Sequence, residues 1–330
     1  MGFKLGKKEY PLGLMLAPMA GFSDRAMRLL ASKMGAELSV TEMVSAKAVV
    51  YGDKKTERLA RIMADEGDVA LQIFGSEPDT MARAAEMLSK PLGEGCCAPV
   101  AIDINMGCPV NKIFGNGEGS ALMRDPDKIY DIVRAVKGAI SLPVTVKLRL
   151  GIDREHLNAP ECAMAAEAAG ASLITVHGRT RVDLYSGTVD RVGIKNVKNS
   201  VRIPVVANGD ITDAVGALSM LNVTGADGIA VGRGAVGNPF IFGEILALYR
   251  GEEYTPPTLR ERAECALTQL RLASLDKGEK IAVPEARKQI ALYLKGFPGA
   301  AAIRAEINMA SSYTEVENII LRATREIIGE

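Results

Sequence analysis

The segment Asp103-Ile-Asn-Met-Gly-Cys-Pro-Val-Asn-Lys112 carries the residue best suited to chemistry, a cysteine set between the turn formers Gly107 and Pro109. Most single cysteines are inert, small, buried hydrophobes. Cys108, however, ends an apolar run, has Asn105 three residues before it and Lys112 close behind, and lies on a sharp turn that should aim the thiol into an open mouth. A thiol so placed can deliver a proton. Other polar residues also close apolar runs: Gln72 in LQIFG, Lys147 in VKLRLG, His177 in TVHGRTR, Asn208-Gly209-Asp210 in VVANGDI, and Gly232-Arg233 in AVGRGAVGNP. Lys147 must face solvent or a shared mouth, and in a mouth its cation would stabilise negative charge on a reduced cofactor ring. Gln72 and His177 offer neutral hydrogen-bonding groups, though each could equally be a satisfied polar residue of the core. Gly209 and Gly232 would let the backbone approach a phosphate, with Arg233 adding a charge-assisted contact, although glycine after a strand serves plain turn geometry as often.

These residues need a scaffold that gathers strand ends. Short Val/Ile/Leu-rich runs at 12–17, 38–40, 69–73, 100–104, 144–148, 173–176, 205–206 and 228–231 alternate with helical patterns, as parallel strands alternate with crossover helices. Ser23-Asp24, Ser76-Glu77-Pro78 and Asp125-Pro126 mark helix starts, and Gly35, Gly138 and Gly170 mark expected stops. No G-x-G-x-x-G turn follows the first run, so an α/β fold of the (β/α)8 TIM barrel type is expected, with an open doubly wound sheet as the alternative. The barrel should occupy residues 1–250. A linker at 251–257, GEEYTPP, leads into a small C-terminal all-helical domain over 251–330. The glycine-rich stretch 114–119, FGNGEG, reads as a mobile lid over the fourth strand's end.

Composition narrows the function. The chain of 330 residues is 48% hydrophobic and 24% charged with no net charge, an ordinary globular balance. Five cysteines without a C-x2-C pair, and only His156 and His177, argue for free thiols in a reducing compartment and against a metal site. No apolar run reaches the roughly 20 residues of a bilayer span and no signal peptide opens the chain, so the cytoplasm is the expected location. Charge is segregated near the end. Lys280, Arg287, Lys288, Lys295 and Arg304 face only Glu285 in their stretch, which predicts a surface for a polyanion.

Taken together, LAPMAGFSD, LQIFGSEPD, DINMGCPVNKI, VKLRLG, TVHGRTR, VVANGDI, ADGIAVGRGAVGNPFIF and LKGFPGAAAIRAEIN resemble, in order, the flavin-dependent tRNA-dihydrouridine synthases, and most of all their bacterial DusB-like branch. The resemblance implies FMN at the barrel mouth, with Pro18, Met19 and Ala20 against the isoalloxazine, Gln72 and Lys147 on its polar edge and His177 close by. The phosphate would meet Asn208, Gly209, Asp210, Gly232 and Arg233, while Asn105 would hold a uracil that Cys108 protonates. Arg179, Arg181, Arg287 and Lys288 would touch the tRNA partner, and NADPH or NADH would reduce the flavin in a separate half-reaction. The resemblance implies no membrane and no obligate protein partner. One departure stands in the tail, where the family's Arg-Lys-His reads Arg287-Lys288-Gln289. Three rivals remain at this level: a pyrimidine oxidoreductase of the dihydroorotate dehydrogenase type, a flavin-dependent RNA uridine methyltransferase, and a flavin-binding or RNA-chaperone protein without turnover.

Overall fold

The structure, a computed structural model, describes residues 2–328. Among them eight parallel strands close a barrel: β1 (Leu14–Leu16), β2 (Leu38–Val40), β3 (Val69–Phe74), β4 (Ala101–Met106), β5 (Val144–Arg149), β6 (Leu173–His177), β7 (Val205–Asn208) and β8 (Gly228–Val231). Each strand pairs with the next, and β8 pairs back onto β1 with Ile229 opposite Leu14. The expected (β/α)8 barrel is therefore present, and the open sheet is excluded.

Because side chains alternate across a strand, each strand splits into two sets. Leu71, Ile73, Ile102, Ile104, Val144, Val146, Leu148, Ile174 and Val176 join the apolar layer shared with the surrounding helices. The other set faces the barrel axis. Its lower members Met15, Leu38, Ala70, Ala101, Leu173, Val206 and Ala230 form a separate cluster with Phe3, Leu5 and Tyr10. Those three aromatic and aliphatic residues come from an antiparallel hairpin, Phe3–Leu5 with Lys8–Tyr10, that plugs the floor. The sequence reading missed this hairpin, whose three-residue strands are too short for a periodic signal.

Helix ends follow the expected chemistry in most places. Asp24 and Asp125 accept hydrogen bonds from backbone N–H groups at their helix starts, and Gly35 and Gly170 adopt φ of +109° and +102° just beyond helix ends. Gly138 is a correction: it lies inside the helix Pro126–Ala139, which stops because Ile140 turns extended, with φ −132° and ψ 152°.

Beyond Gly251 a linker leads to the helix Leu259–Lys277, opened by a reciprocal capping box of Thr258 and Glu261. This helix and those at Glu279–Ile290, Ala300–Met309 and Tyr313–Ile328 build a second apolar core, to which the barrel contributes Leu30. Polar ties fasten the two parts: Lys277 Nζ lies 2.7 Å from Asp24 Oδ2, and Gln289 Nε2 donates to the Gly21 carbonyl at 3.2 Å. Gln289, the departure from the family tail, is thus a buried bridging amide. Arg287 was expected to face RNA, but its guanidinium donates to the Ala310 carbonyl, at 3.1 Å from Nε, and so satisfies the end of the helix Ala300–Met309. Lys288 remains exposed. No helix of the described residues is long and apolar enough to cross a membrane.

The closing seam gives the first prediction. A Cβ added at Gly228 would stand 2.4 Å from the Gly13 carbonyl oxygen, where β8 meets β1. Gly228→Ala should destabilise the fold by about 1–3 kcal/mol, as overpacking in a core does. The check is urea unfolding, read as a lower midpoint at unchanged slope.

Candidate active site at the barrel mouth

Above the plugged floor the axis-facing positions turn polar. Register places Gln72 beside Asp103, Asp103 beside Thr145, Asn105 beside Lys147, Arg149 beside His177, and His177 beside Asn208. Gln72 Nε2 donates to Asp103 Oδ2 at 2.7 Å, and Asn105 Nδ2 donates to Gln72 Oε1 at 2.8 Å. The backbone N–H groups of Cys108 and Gly107 then donate to Asn105 Oδ1 at 2.9 and 3.2 Å. Arg149, missed in the sequence reading, closes the turn from the other side: its guanidinium donates to the carbonyls of Gly107, Thr180 and Leu184 at 2.9, 2.7 and 2.9 Å. The alternation Thr145-x-Lys147-x-Arg149 in one strand was the available signal.

Cys108 is 8% exposed, because the segment after it folds down as a cover. The expected loose loop is in fact a short helix, Asn111–Gly115, followed by a 3-10 turn at Gly119–Arg124. Ser120 Oγ donates to the Cys108 carbonyl at 2.7 Å, and a Cβ on Gly119 would reach within 3.0 Å of Cys108 Cβ. The ring of Phe114 takes the guanidinium groups of Arg181 and Arg124 at 3.7 and 4.3 Å from its centroid. Arg181 also donates to Asn111 Oδ1 at 2.7 Å, so the lid occupies this arginine, which was expected to steer RNA.

Charge states follow from this crowding. Burial pushes the Cys108 thiol above its ordinary value, against the pull of Arg149 and Lys147, so it stays protonated at neutral pH. Burial, aided by Arg149, lowers Lys147 to about 8, with Asp103 opposing. Burial together with Lys147, Arg149, Arg179 and Arg233 depresses His177 strongly, so its imidazole is neutral. Arg179 Nη1 lies 3.4 Å from His177 Nε2, and since a guanidinium only donates, that nitrogen accepts and the ring proton sits on Nδ1.

The cluster from β7 and β8 is also assembled. Gly209 adopts φ +126°, and a Cβ there would stand 2.6 Å from Val189 and 3.0 Å from the His177 ring, so only glycine fits. Asn208 Nδ2 donates to the Ala230 carbonyl at 2.7 Å, locking the two strands together. Asp210, with φ +49°, accepts from Arg233 at 3.2 Å and bidentately from Arg179 at 2.9 and 2.6 Å. Arg179 also donates to the carbonyls of Ser186 and Gly187 and is 3% exposed. Its side chain, expected to steer RNA, here braces this bend from inside. The loop of Pro18, Met19 and Ala20 leaves β1 beside these groups and is held by the Met19 N–H donating to Ser23 Oγ at 2.9 Å. Gly232 faces it, with Met19 Sδ 3.6 Å from where its Cβ would be. Tyr185, which sequence reasoning passed over, stands 55% exposed on the rim, with Arg233 and Arg149 at 4.8 and 5.7 Å from its ring centroid.

A cation, an oriented amide, a neutral imidazole and a glycine-lined backbone bend thus share one mouth with a protonated thiol. A model of the family described as Dihydrouridine synthase (Dus) matches residues 15–328. The chain belongs to this family. It is 42% identical over 320 residues to a probable tRNA-dihydrouridine synthase of Rickettsia conorii, covering 96% of this chain and 95% of that protein. It is 38% identical over 300 residues to the tRNA-dihydrouridine synthase B of Xanthomonas axonopodis pv. citri, covering 91% and 89% of the two chains. Among solved structures, morphinone reductase superposes with a TM-score of 0.53 at 14% identity, over 79% of this chain and 91% of that one, a likeness of fold.

For this dihydrouridine synthase family member, the clamp on Phe114 yields the second prediction. Phe114→Ala should release the cover, so that iodoacetamide alkylates Cys108 several-fold faster. Peptide mass spectrometry can follow Cys108 separately, with exposed Cys97 as the internal reference. An unchanged Cys108 rate would mean that the ring does not hold the lid.

Proposed function

We propose that this protein is a tRNA-dihydrouridine synthase: it binds FMN, takes electrons from NADPH or NADH, and reduces a uridine of tRNA to 5,6-dihydrouridine in the cytoplasm. The observation that carries this reading is a protonated thiol, buried under the segment that follows it, at the strand-end mouth of a barrel whose relatives bear that name.

The residues at the mouth suit a flavin. Lys147 and Gln72 would meet its polar edge, and the Pro18-Met19-Ala20 loop its ring. Gly209 and Gly232 would bring backbone to its phosphate, with Arg233 as the cation and Asn208 and Asp210 holding that bend in shape. His177, neutral and with its proton on Nδ1, would offer a hydrogen bond without adding charge. Bound FMN would supply hydride to C6 of the base. The remaining steps belong to side chains. Asn105 has both lone pairs of Oδ1 occupied and one Nδ2 hydrogen left, so it would meet the uracil through a carbonyl oxygen. Cys108 would pass its Sγ proton to C5, and Lys147 and Arg149, which both favour the thiolate, would stabilise the sulfur anion left behind.

The target base must leave its stack to reach this mouth, so the tRNA backbone has to be gripped elsewhere. The helical part from residue 251 onward would do that. Lys280, Lys288 and Lys295 are exposed on it, while Arg287 is committed internally. A free pyrimidine would need no such surface, which favours RNA over the dihydroorotate type of reaction. Nucleoside mass spectrometry of tRNA treated with the protein and NADPH separates dihydrouridine from methyluridine directly.

Two outcomes are expected. Cys108→Ala should lower dihydrouridine formation by about 100-fold or more, the scale of a lost general acid, while NADPH still bleaches the flavin at the wild-type rate. For Lys147, whose lowered value means that the cation is present below pH about 8 and lost above it, FMN affinity should fall as pH rises through that region. Lys147→Met should bind FMN roughly tenfold more weakly at pH 7, the scale of a lost charge-assisted bond, with that pH step gone. Fluorescence titration of FMN measures both.

A further inference from the structure

A buried acid to which the proposed reaction assigns no role stands level with Gln72 in the barrel. Asp103 lies at the middle of β4, 3% exposed, with Gln72 on one side in register and Thr145 on the other. Its strand neighbours Ile102 and Ile104 face outward, so the acid alone interrupts an apolar run at an inward position. Burial opposes its charge, raising its pKa, and Gln72 and Thr145 oppose that rise by hydrogen bonding. An acid kept in such a place needs a reason other than stability.

Taking the proposed reaction as the starting point, we propose that Asp103 is a positioning residue for Cys108, acting through a one-way chain of side-chain amides. An oxygen of Asp103 accepts from Gln72, which therefore turns its NH2 toward the acid and leaves its own oxygen facing Asn105. Asn105 must then donate to Gln72, and its own oxygen takes the N–H groups of Gly107 and Cys108. The far end fixes this direction whatever the protonation of the acid, because a backbone N–H only donates. Reversing either amide would set donor against donor or acceptor against acceptor in a buried place, so the chain has a single orientation. Thr145 Oγ1 donates to the other carboxylate oxygen and fixes the acid itself. The turn that aims the thiol is thereby tied to a rigid point on β4 and β5.

The test uses the FMN-loaded protein and reads two quantities. In Asp103→Leu the rate of dihydrouridine formation per bound flavin at saturating tRNA should fall by roughly tenfold or more, the effect of one lost buried hydrogen bond, while the KM for tRNA holds. Iodoacetamide alkylation of Cys108, measured without tRNA, should change several-fold in the same variant. Asp103→Asn should restore both, since its oxygen can accept from Gln72 while its NH2 donates to the Thr145 hydroxyl. If the leucine variant does not fold, Asp103→Ala, which leaves room for water, carries the same expectations. A variant that loses only thermal stability, with rate per flavin and alkylation unchanged, overturns the proposal in favour of a purely structural acid. An asparagine variant as impaired as leucine also overturns it, because charge and not hydrogen-bond direction would then matter. The alkylation readout needs no tRNA chemistry, so it still judges Asp103 if wild-type protein makes no dihydrouridine.

Discussion

A closed parallel barrel turns every second strand residue toward one shared axis, where there is no solvent to satisfy a polar group that lacks a partner. In this chain the lower axis is apolar and plugged by the Phe3, Leu5 and Tyr10 hairpin, and the upper axis holds Gln72, Asp103, Asn105, Lys147, Arg149, His177 and Asn208. Apart from half-buried Lys147, each upper group must therefore solve its hydrogen bonding with its neighbours. The solution found is directional: accepting acid oxygens at Asp103 and Asp210, donor-only guanidinium groups at Arg149 and Arg179, and amides whose orientation follows from their neighbours. The geometry of the mouth is a consequence of that requirement.

The same requirement explains which parts of the molecule were legible in the sequence. Strand positions were readable because period-two burial and Val/Ile/Leu content are local, and the polar residue ending each run marked the mouth correctly for Gln72, Lys147 and His177. What could not be read was the spending of long side chains on distant carbonyls. Arg179 looks in sequence like Arg181, yet one is sealed against Asp210 and the other lies on the lid. Arg287 sits in a cationic stretch, yet it answers a helix end 23 residues away. Asp103 was visible as a charge between isoleucines but had no partner within its own segment. Gly138 illustrates the converse, since a helix-interior glycine and a helix-ending one differ only in what the next residues do.

The two parts of the chain are joined at a revealing place. Gly21 closes the loop of Pro18, Met19 and Ala20; its N–H donates to Glu42 from the barrel and its carbonyl accepts from Gln289 of the helical part. Gln289 is itself held by Gln269, whose oxygen accepts from Tyr293. A neutral amide at position 289 adds no titratable group of its own to this junction, which an imidazole would. The departure from the family pattern thus concerns the joint between the parts, and leaves the exposed cations Lys280, Lys288 and Lys295 untouched.

In the acid role proposed for Cys108, opposing demands fall on one sulfur. To give a proton it must stay a thiol at neutral pH, and burial under Gly119 and Ser120 ensures that. To give the proton readily, its thiolate must be tolerable for an instant, and Lys147 and Arg149 nearby provide the compensating charge. Neither cation can be exposed without being screened, and neither can be fully paired without losing its effect on the sulfur. Lys147 meets the compromise by facing Asp103 at a distance, with no direct ion pair, and its lowered pKa is the cost. Arg149 meets it by bonding only to neutral carbonyls, which hold its position and leave its charge uncancelled. An acid of this kind would work because its partners are fixed by the barrel and not by the acid itself.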